Sequence, residues 1–277
     1  MKYKFAFFKK ISASISKNMA LSKRGKFVLC VLALTSGLFF SEYMTGSVLI
    51  LLSFILSFLT VLFLYLVLRE DLSKKTYLFP IFVLPFFYTL SFSLFYSLVP
   101  SRFLTRVLLS GVYAFGAYSL FLTQNIFAIS VLRTINLLRS ARIVSFVITI
   151  FVLFFLCNIV FSLRLPLYIT PIAIGALSFL MCIQFLWSYS ETKESSREVF
   201  LFSSSIALMM GELSFVLSIW PVSAAIYAIF LTGIFYTYSG LSHAWLERRL
   251  FKGILWEYIW VGFLSILFLL LFSKWGT

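Results

Sequence analysis

The sequence predicts an all-α fold, a polytopic transmembrane helical bundle of about nine spans with a cytoplasmic N-terminus and a C-terminus outside. Three observations predict it. Of 277 residues, 62% are hydrophobic and 12% charged, whereas a soluble domain carries roughly 25% charged side chains. Apolar runs long enough to cross a bilayer recur along the chain, which only membrane insertion can hide. Lys and Arg concentrate in alternate connections, the mark of cytoplasmic loops. The same composition excludes disordered and collagen-like chains.

A basic segment, residues 1–26, comes first and carries Lys2, Lys4, Lys9, Lys10, Lys17, Lys23, Arg24 and Lys26. Phe5, Phe8, Ile15 and Met19 are spaced near helical period among these lysines. That suits a short helix on the inner membrane surface, and a solvated basic tail fits equally. Residues 27–277 form a single transmembrane helical domain. Its first span runs from Phe27 to Tyr43. The run from Phe27 to Phe40, by its length and the small residues of LALTSG, also fits a signal peptide. Against that, the run continues through Phe39, Phe40, Tyr43 and Met44 without an A-x-A site, as an uncleaved span does.

Further runs extend from Ser47 to Leu68, Tyr77 to Leu98, Thr105 to Thr123, Ile143 to Leu163 and Leu167 to Tyr189. The last three extend from Val199 to Ile219, Val222 to Ser242 and Ile254 to Phe272. At about 20 residues per span, no stretch is left for a soluble domain. The fourth span has the weakest boundary. It either stops near Thr123, with Ile126 to Arg142 lying along the inner interface, or slides toward Leu132. Ile135 and Leu138 share one helical face and Arg133, Asn136 and Ser140 another, an amphipathic pattern that favours the interfacial placement.

With the N-terminus inside, the basic flank, Arg69, Lys74, Lys75, Arg133, Arg139, Arg142, Lys193, Arg197, Arg248, Arg249 and Lys252 are all cytoplasmic. Only Arg102, Arg106, Arg164 and Lys274 fall outside. The six tryptophans, Trp187, Trp220, Trp245, Trp256, Trp260 and Trp275, all sit at span ends, where indole meets the headgroups. Pro80, Pro85 and Pro171 stand where they can kink the third and sixth spans, while Pro166 and Pro221 fall in hairpin turns. The net charge of +14 would suggest nucleic acid in a soluble protein. Here its distribution is topological, so the partners implied are the lipid bilayer and anionic phospholipids at the basic N-terminal segment, with no nucleic acid.

The chemistry available is narrow. Asp71 is the only aspartate and His243 the only histidine, so there is no metal-binding histidine pair and no carboxylate cluster for magnesium-bound diphosphate. No G-x-S-x-G elbow occurs; GALSF at Gly175 to Phe179 has the wrong spacing. Cys30, Cys157 and Cys182 lack metal-type spacing and read as packing residues. No cofactor is implied. His243 is placed at an aromatic interface, Glu247 and Glu257 in solvated ion pairs, and Gln184 in an interhelical hydrogen bond.

Glu212 is the one acid deep within a span, about 20 Å from the inner end at 1.5 Å per residue. Such a group costs on the order of 2.5 to 3.5 kcal/mol if it faces lipid. A bundle-facing position, a proton or a partner would remove that cost. The candidate cluster is Glu212 with Asn158, Arg106, Arg164 and Ser205, an outer-half polar seam; Arg102 lies on the same side. Ser203, Ala207 and Gly211 make a small-residue stripe on the same span, whose plain meaning is close helix packing.

LTQNIFAISVLRTINLLRSARIVSFVIT and MGELSFVLSIWP resemble uncharacterised bacterial multi-pass membrane proteins. The resemblance covers the chain from the fourth span onward, carries no activity, and implies a bacterial inner membrane. Function stays open among three classes. The first is a non-enzymatic membrane component, an accessory or assembly partner with a membrane-protein partner of its own. The second is a small transporter using the seam around Glu212. The third, an intramembrane enzyme, needs a polar pocket joining a serine to His243.

Overall fold

The computed structural model describes residues 23–41, 43–44, 46–69, 79–99, 103–130, 137–189 and 193–273. The helices are α1 (Lys23–Ser41), α2 (Ser47–Leu68), α3 (Phe79–Phe95), α4 (Phe103–Ser130), α5 (Leu138–Ser162), α6 (Ile169–Trp187), α7 (Lys193–Ile219), α8 (Ala224–Leu246) and α9 (Lys252–Phe272). Tyr96–Leu98 adds a 3-10 turn to α3. Among the described residues, nine helices are long and apolar enough to cross a membrane. In hydrocarbon no water satisfies the backbone, so each span closes its own hydrogen bonds as a helix.

Successive helices are antiparallel neighbours. Ser53 of α2 meets Ser93 of α3 at one end while Tyr65 meets Phe82 at the other. Gly240 and Gly233 of α8 meet Tyr258 and Ser265 of α9 in the same opposed sense. The starts of α1, α3, α5, α7 and α9 therefore share one end of the bundle. It carries Lys23, Arg24, Lys26, Arg69, Arg139, Arg142, Arg197, Arg248, Arg249 and Lys252, and is called the basic end below.

Helices α3 and α5 are central. Helix α5 packs on α3, α4, α6 and α8, and α3 also reaches α2, α4 and α6. Helix α9 lies at the periphery against α8, burying only Gly262, Ser265 and Leu269. The outward surface is apolar: Phe115 and Leu104 are each 77% exposed, and Leu208 70%. A soluble monomer does not present such a surface to water. Exposed Trp245, Trp256 and Trp260 stand near the basic end, with Trp187 at the end of α6.

Two expectations are corrected. The interfacial segment expected to begin at Ile126 does not begin there. Helix α4 continues unbroken to Ser130, with Phe127 and Ala128 buried, and α5 already begins at Leu138. Residues 131–136, including Arg133 and Asn136, lie outside the described residues. Burial of Phe127 and Ala128 against the bundle outweighs the local polar pattern. The proline expectation narrows as well, because Pro80 and Pro171 stand in first turns, where no N–H is needed, leaving Pro85 as the proline inside α3. The surface helix proposed around Phe5 to Met19 falls outside the described residues, as do Arg102, Lys274 and Trp275.

Candidate functional site

The five residues of the sequence-derived seam do not converge. Glu212 is exposed on α7, in a stripe with Leu201, Ser205, Leu208, Phe215 and Ile219. It makes no hydrogen bond or ion pair to another described residue. Ser205 shares that face two helical turns closer to the basic end, its hydroxyl donating to the Leu201 carbonyl at 2.9 Å. Asn158 is half-buried on α5. Arg106 lies with α3 and the α1–α2 connection: its guanidinium stands 4.7 Å from the Tyr43 ring centroid, and its carbonyl accepts from the Tyr96 hydroxyl at 3.1 Å. Arg164 is exposed in the α5–α6 turn.

The small-residue stripe explains why Glu212 points outward. A Cβ on Gly175 of α6 would lie 3.1 Å from the Ala207 carbonyl oxygen, and one on Gly211 would lie 3.3 Å from that of Pro171. The two backbones are thus nearly touching along Ala207 and Gly211. Glu212 follows Gly211 by about 100 degrees around the helix. Facing Gly211 into α6 therefore turns Glu212 away from the bundle.

Polar side chains gather elsewhere. Between α2, α3 and α4 runs a fully buried hydroxyl seam in which Ser53 bonds Ser93 at 2.7 Å, Thr60 bonds Thr89 at 2.8 Å and Thr89 bonds Tyr113 at 3.1 Å. The Tyr88 hydroxyl donates to the Tyr113 carbonyl at 3.1 Å, in the space left by Gly116, where a Cβ would collide with it. Each hydroxyl satisfies another across a helix interface, which is how polar groups hold membrane helices together.

Among the described residues, the densest charged cluster sits at the basic end. Arg142, in the first turns of α5, donates from Nη1 to Glu247 Oε1 at 3.3 Å, and its guanidinium stacks 4.4 Å from the Tyr189 ring centroid. His243 Nε2 lies 3.4 Å from Glu247 Oε2, the i,i+4 spacing on α8, and Arg249 approaches the same oxygen at 3.8 Å. The His243 ring packs on Tyr189 at 4.1 Å and on Phe185 at 5.9 Å. Burial pushes the Tyr189 phenol above its ordinary range; Arg142 opposes this and Glu247 adds to it. The phenol therefore stays neutral and presents its ring face to the guanidinium.

The end of α8 positions Glu247. Arg248 N–H bonds the Trp245 carbonyl and Arg249 N–H the Ala244 carbonyl, each at 2.9 Å, while Arg248 adopts a left-handed φ of 55°. This is a Schellman closure in which an arginine occupies the position glycine favours. One turn further into the bundle, Gln184 Nε2 donates to Ser145 Oγ at 3.3 Å, the interhelical bond expected of it. Gln184 Oε1, Arg142 Nε and both amide atoms of fully buried Gln124 make no hydrogen bond.

The cluster joins helix ends by charge. His243 pairs with Glu247 at 3.4 Å, and no serine hydroxyl is hydrogen-bonded to His243 among the described residues. Nor does any group of three or more His, Cys, Asp or Glu side chains able to hold a metal occur among them. Three cavities can be described. One of about 400 Å³ lies between α7 and α8 beside Phe202, Ser205 and Trp245; one of about 430 Å³ lies between α5 and α8 beside Phe154 and Thr232; one of about 670 Å³ opens at the end opposite the basic one, beside Arg164 and Ser223. Glu212 lines none of the three.

A family model described as "Protein of unknown function (DUF5656)" matches residues 30–272. The chain belongs to that family. The match begins within α1 and extends to the end of α9 of this DUF5656 bundle. No curated protein and no solved structure matches the chain.

Proposed function

We propose that this DUF5656 protein is a non-enzymatic component of a bacterial cytoplasmic membrane that docks a partner membrane protein on the exposed face of α7. The basic end is cytoplasmic and rests on anionic phospholipids, and the C-terminus is outside. The Lys and Arg distribution supports that orientation.

The observation that carries the reading is the position of Glu212. It stands about 10 Å from the end of α7 at 1.5 Å per residue, on a face otherwise made of Leu201, Leu208, Phe215 and Ile219. Facing lipid it costs on the order of 2.5 to 3.5 kcal/mol. A partner helix that presents a hydrogen-bond donor or cation to the carboxylate removes that cost.

The test is site-directed photo-crosslinking in intact membranes. A photoreactive side chain at Leu208 or Phe215 gives a discrete adduct, whereas one at Leu108 or Phe115 on the exposed face of α4 does not. Glu212→Leu abolishes the adduct while the chain still folds, because no described neighbour depends on that carboxylate. Equal adducts from both faces, or adducts indifferent to Glu212→Leu, would overturn the reading. Normal assembly of Glu212→Gln with altered pH-dependent solute uptake would replace docking with transport.

A further inference from the structure

The cavity of about 670 Å³ at the end opposite the basic one has a lining of polar and apolar side chains together. Arg164, Ser162, Thr170 and Ser223 line it together with Phe161 and Val222, and no acid does. It lies where the α5–α6 and α7–α8 connections meet, so that α6 and α8, of 19 and 23 residues, both begin at it. Helix N-termini favour negative charge where their first N–H groups point outward unpaired; at α6 the Ile169 and Thr170 N–H groups already bond the Pro166 carbonyl and Pro171 has none, so the N-terminus that counts is that of α8.

Two side chains make this more than a pair of helix starts. Among the described residues, Arg164 is the only charged one lining the cavity, and it is held in a left-handed backbone conformation, φ 46°. Thr170 is only 5% exposed, yet its hydroxyl makes no hydrogen bond to another described residue and lines the cavity. A guanidinium, a free hydroxyl and the N-terminus of α8 around one cavity, with no carboxylate among the described residues that line it, present the chemistry of a phosphate site.

The cavity lies at helix ends, and Phe161 and Val222 extend its lining with apolar surface. We infer that this cavity binds the phosphate of an anionic phospholipid headgroup, with Arg164 and Thr170 on the phosphate and the chains of the lipid running down the adjoining apolar surface. The site is independent of the docking face on α7, which shares no residue with it.

The experiment uses the full chain in detergent, stripped of lipid and titrated with phosphatidylglycerol, phosphatidylcholine or inorganic phosphate, binding being read by native mass spectrometry. Comparing wild type with Arg164→Gly cancels lipid bound at the basic end. Glycine suits the left-handed position, so the substitution removes the guanidinium without straining the turn. The expected result is binding of phosphatidylglycerol about tenfold weaker in Arg164→Gly, the scale of one lost charge-assisted hydrogen bond, with phosphatidylcholine weak and unchanged. Thr170→Val, which keeps the shape, weakens phosphatidylglycerol binding about threefold, on the scale of one neutral hydrogen bond, and serves where Arg164→Gly cannot be recovered. Equal phosphatidylglycerol binding in wild type and both variants would overturn the proposal. Arg164-dependent binding of inorganic phosphate without any of phosphatidylglycerol would assign the site to a free anion and overturn the lipid.

Discussion

Glu247→Ala removes the carboxylate that Arg142, His243 and Arg249 share at the basic end. Its strongest contact is with Arg142, 3.3 Å away, the two side chains being 16% and 25% exposed. At that separation the attraction is about 5 kcal/mol for an effective dielectric of about 20, and desolvation of both ions cancels much of it. Breaking a fully buried pair costs about 3 to 5 kcal/mol, an exposed pair about 0 to 1. The partial burial here places the loss near 2 kcal/mol. Arg249 adds little, since its side chain is 54% exposed. The stack of Arg142 on Tyr189 survives the substitution. The assay is a double-mutant cycle with Arg142→Met, with unfolding in mixed micelles followed by circular dichroism. A coupling energy of about 1 to 2 kcal/mol is expected, with the double variant more stable than Glu247→Ala alone, because no guanidinium is left unpaired at that position. A coupling within about 0.3 kcal/mol of zero, the scatter of independent sites, would refute the argument.

Three further outcomes follow from the packing. Gly175→Val forces a branched side chain onto the Ala207 carbonyl and should cost about 1 to 3 kcal/mol, whereas Gly111→Ala, with open space around its Cβ, should be neutral or stabilising by up to about 1 kcal/mol; chemical unfolding of both in one detergent decides. Thr89→Val takes bonds from Thr60 and Tyr113 and should lower stability by about 1 kcal/mol in the same assay, membrane interhelical bonds averaging about 0.6 each. Arg248→Gly relieves the left-handed C-terminal position of α8 and should raise the unfolding free energy by about 1 kcal/mol.

The sequence made the span count legible because hydrocarbon imposes one solution on any long apolar run. The end of the fourth span was not legible. Thr123, Gln124 and Asn125 look like a boundary, but Gln124 is buried and Phe127 and Ala128 pack inside, which only the neighbouring helices decide. The depth of Glu212 was readable by counting residues, and its outward direction was not, because that depends on Gly175 and Pro171 of α6 receiving Ala207 and Gly211. The Ser203, Ala207 and Gly211 stripe carried this signal already. Arg142 and Glu247 are 105 positions apart, beyond any local spacing. Only the His243 to Glu247 step, i,i+4 on a helix, was visible within the chain.

The most direct test of the account is sidedness. In a chain freed of Cys30, Cys157 and Cys182, single cysteines replace Tyr168, 68% exposed in the α5–α6 turn, and Phe251, 67% exposed after α8. A membrane-impermeant thiol reagent added to intact cells should label the cysteine at 168 and leave that at 251 untouched until the membrane is opened. Labelling of both from outside would contradict the bundle of alternating spans, and labelling of 251 alone would reverse its orientation.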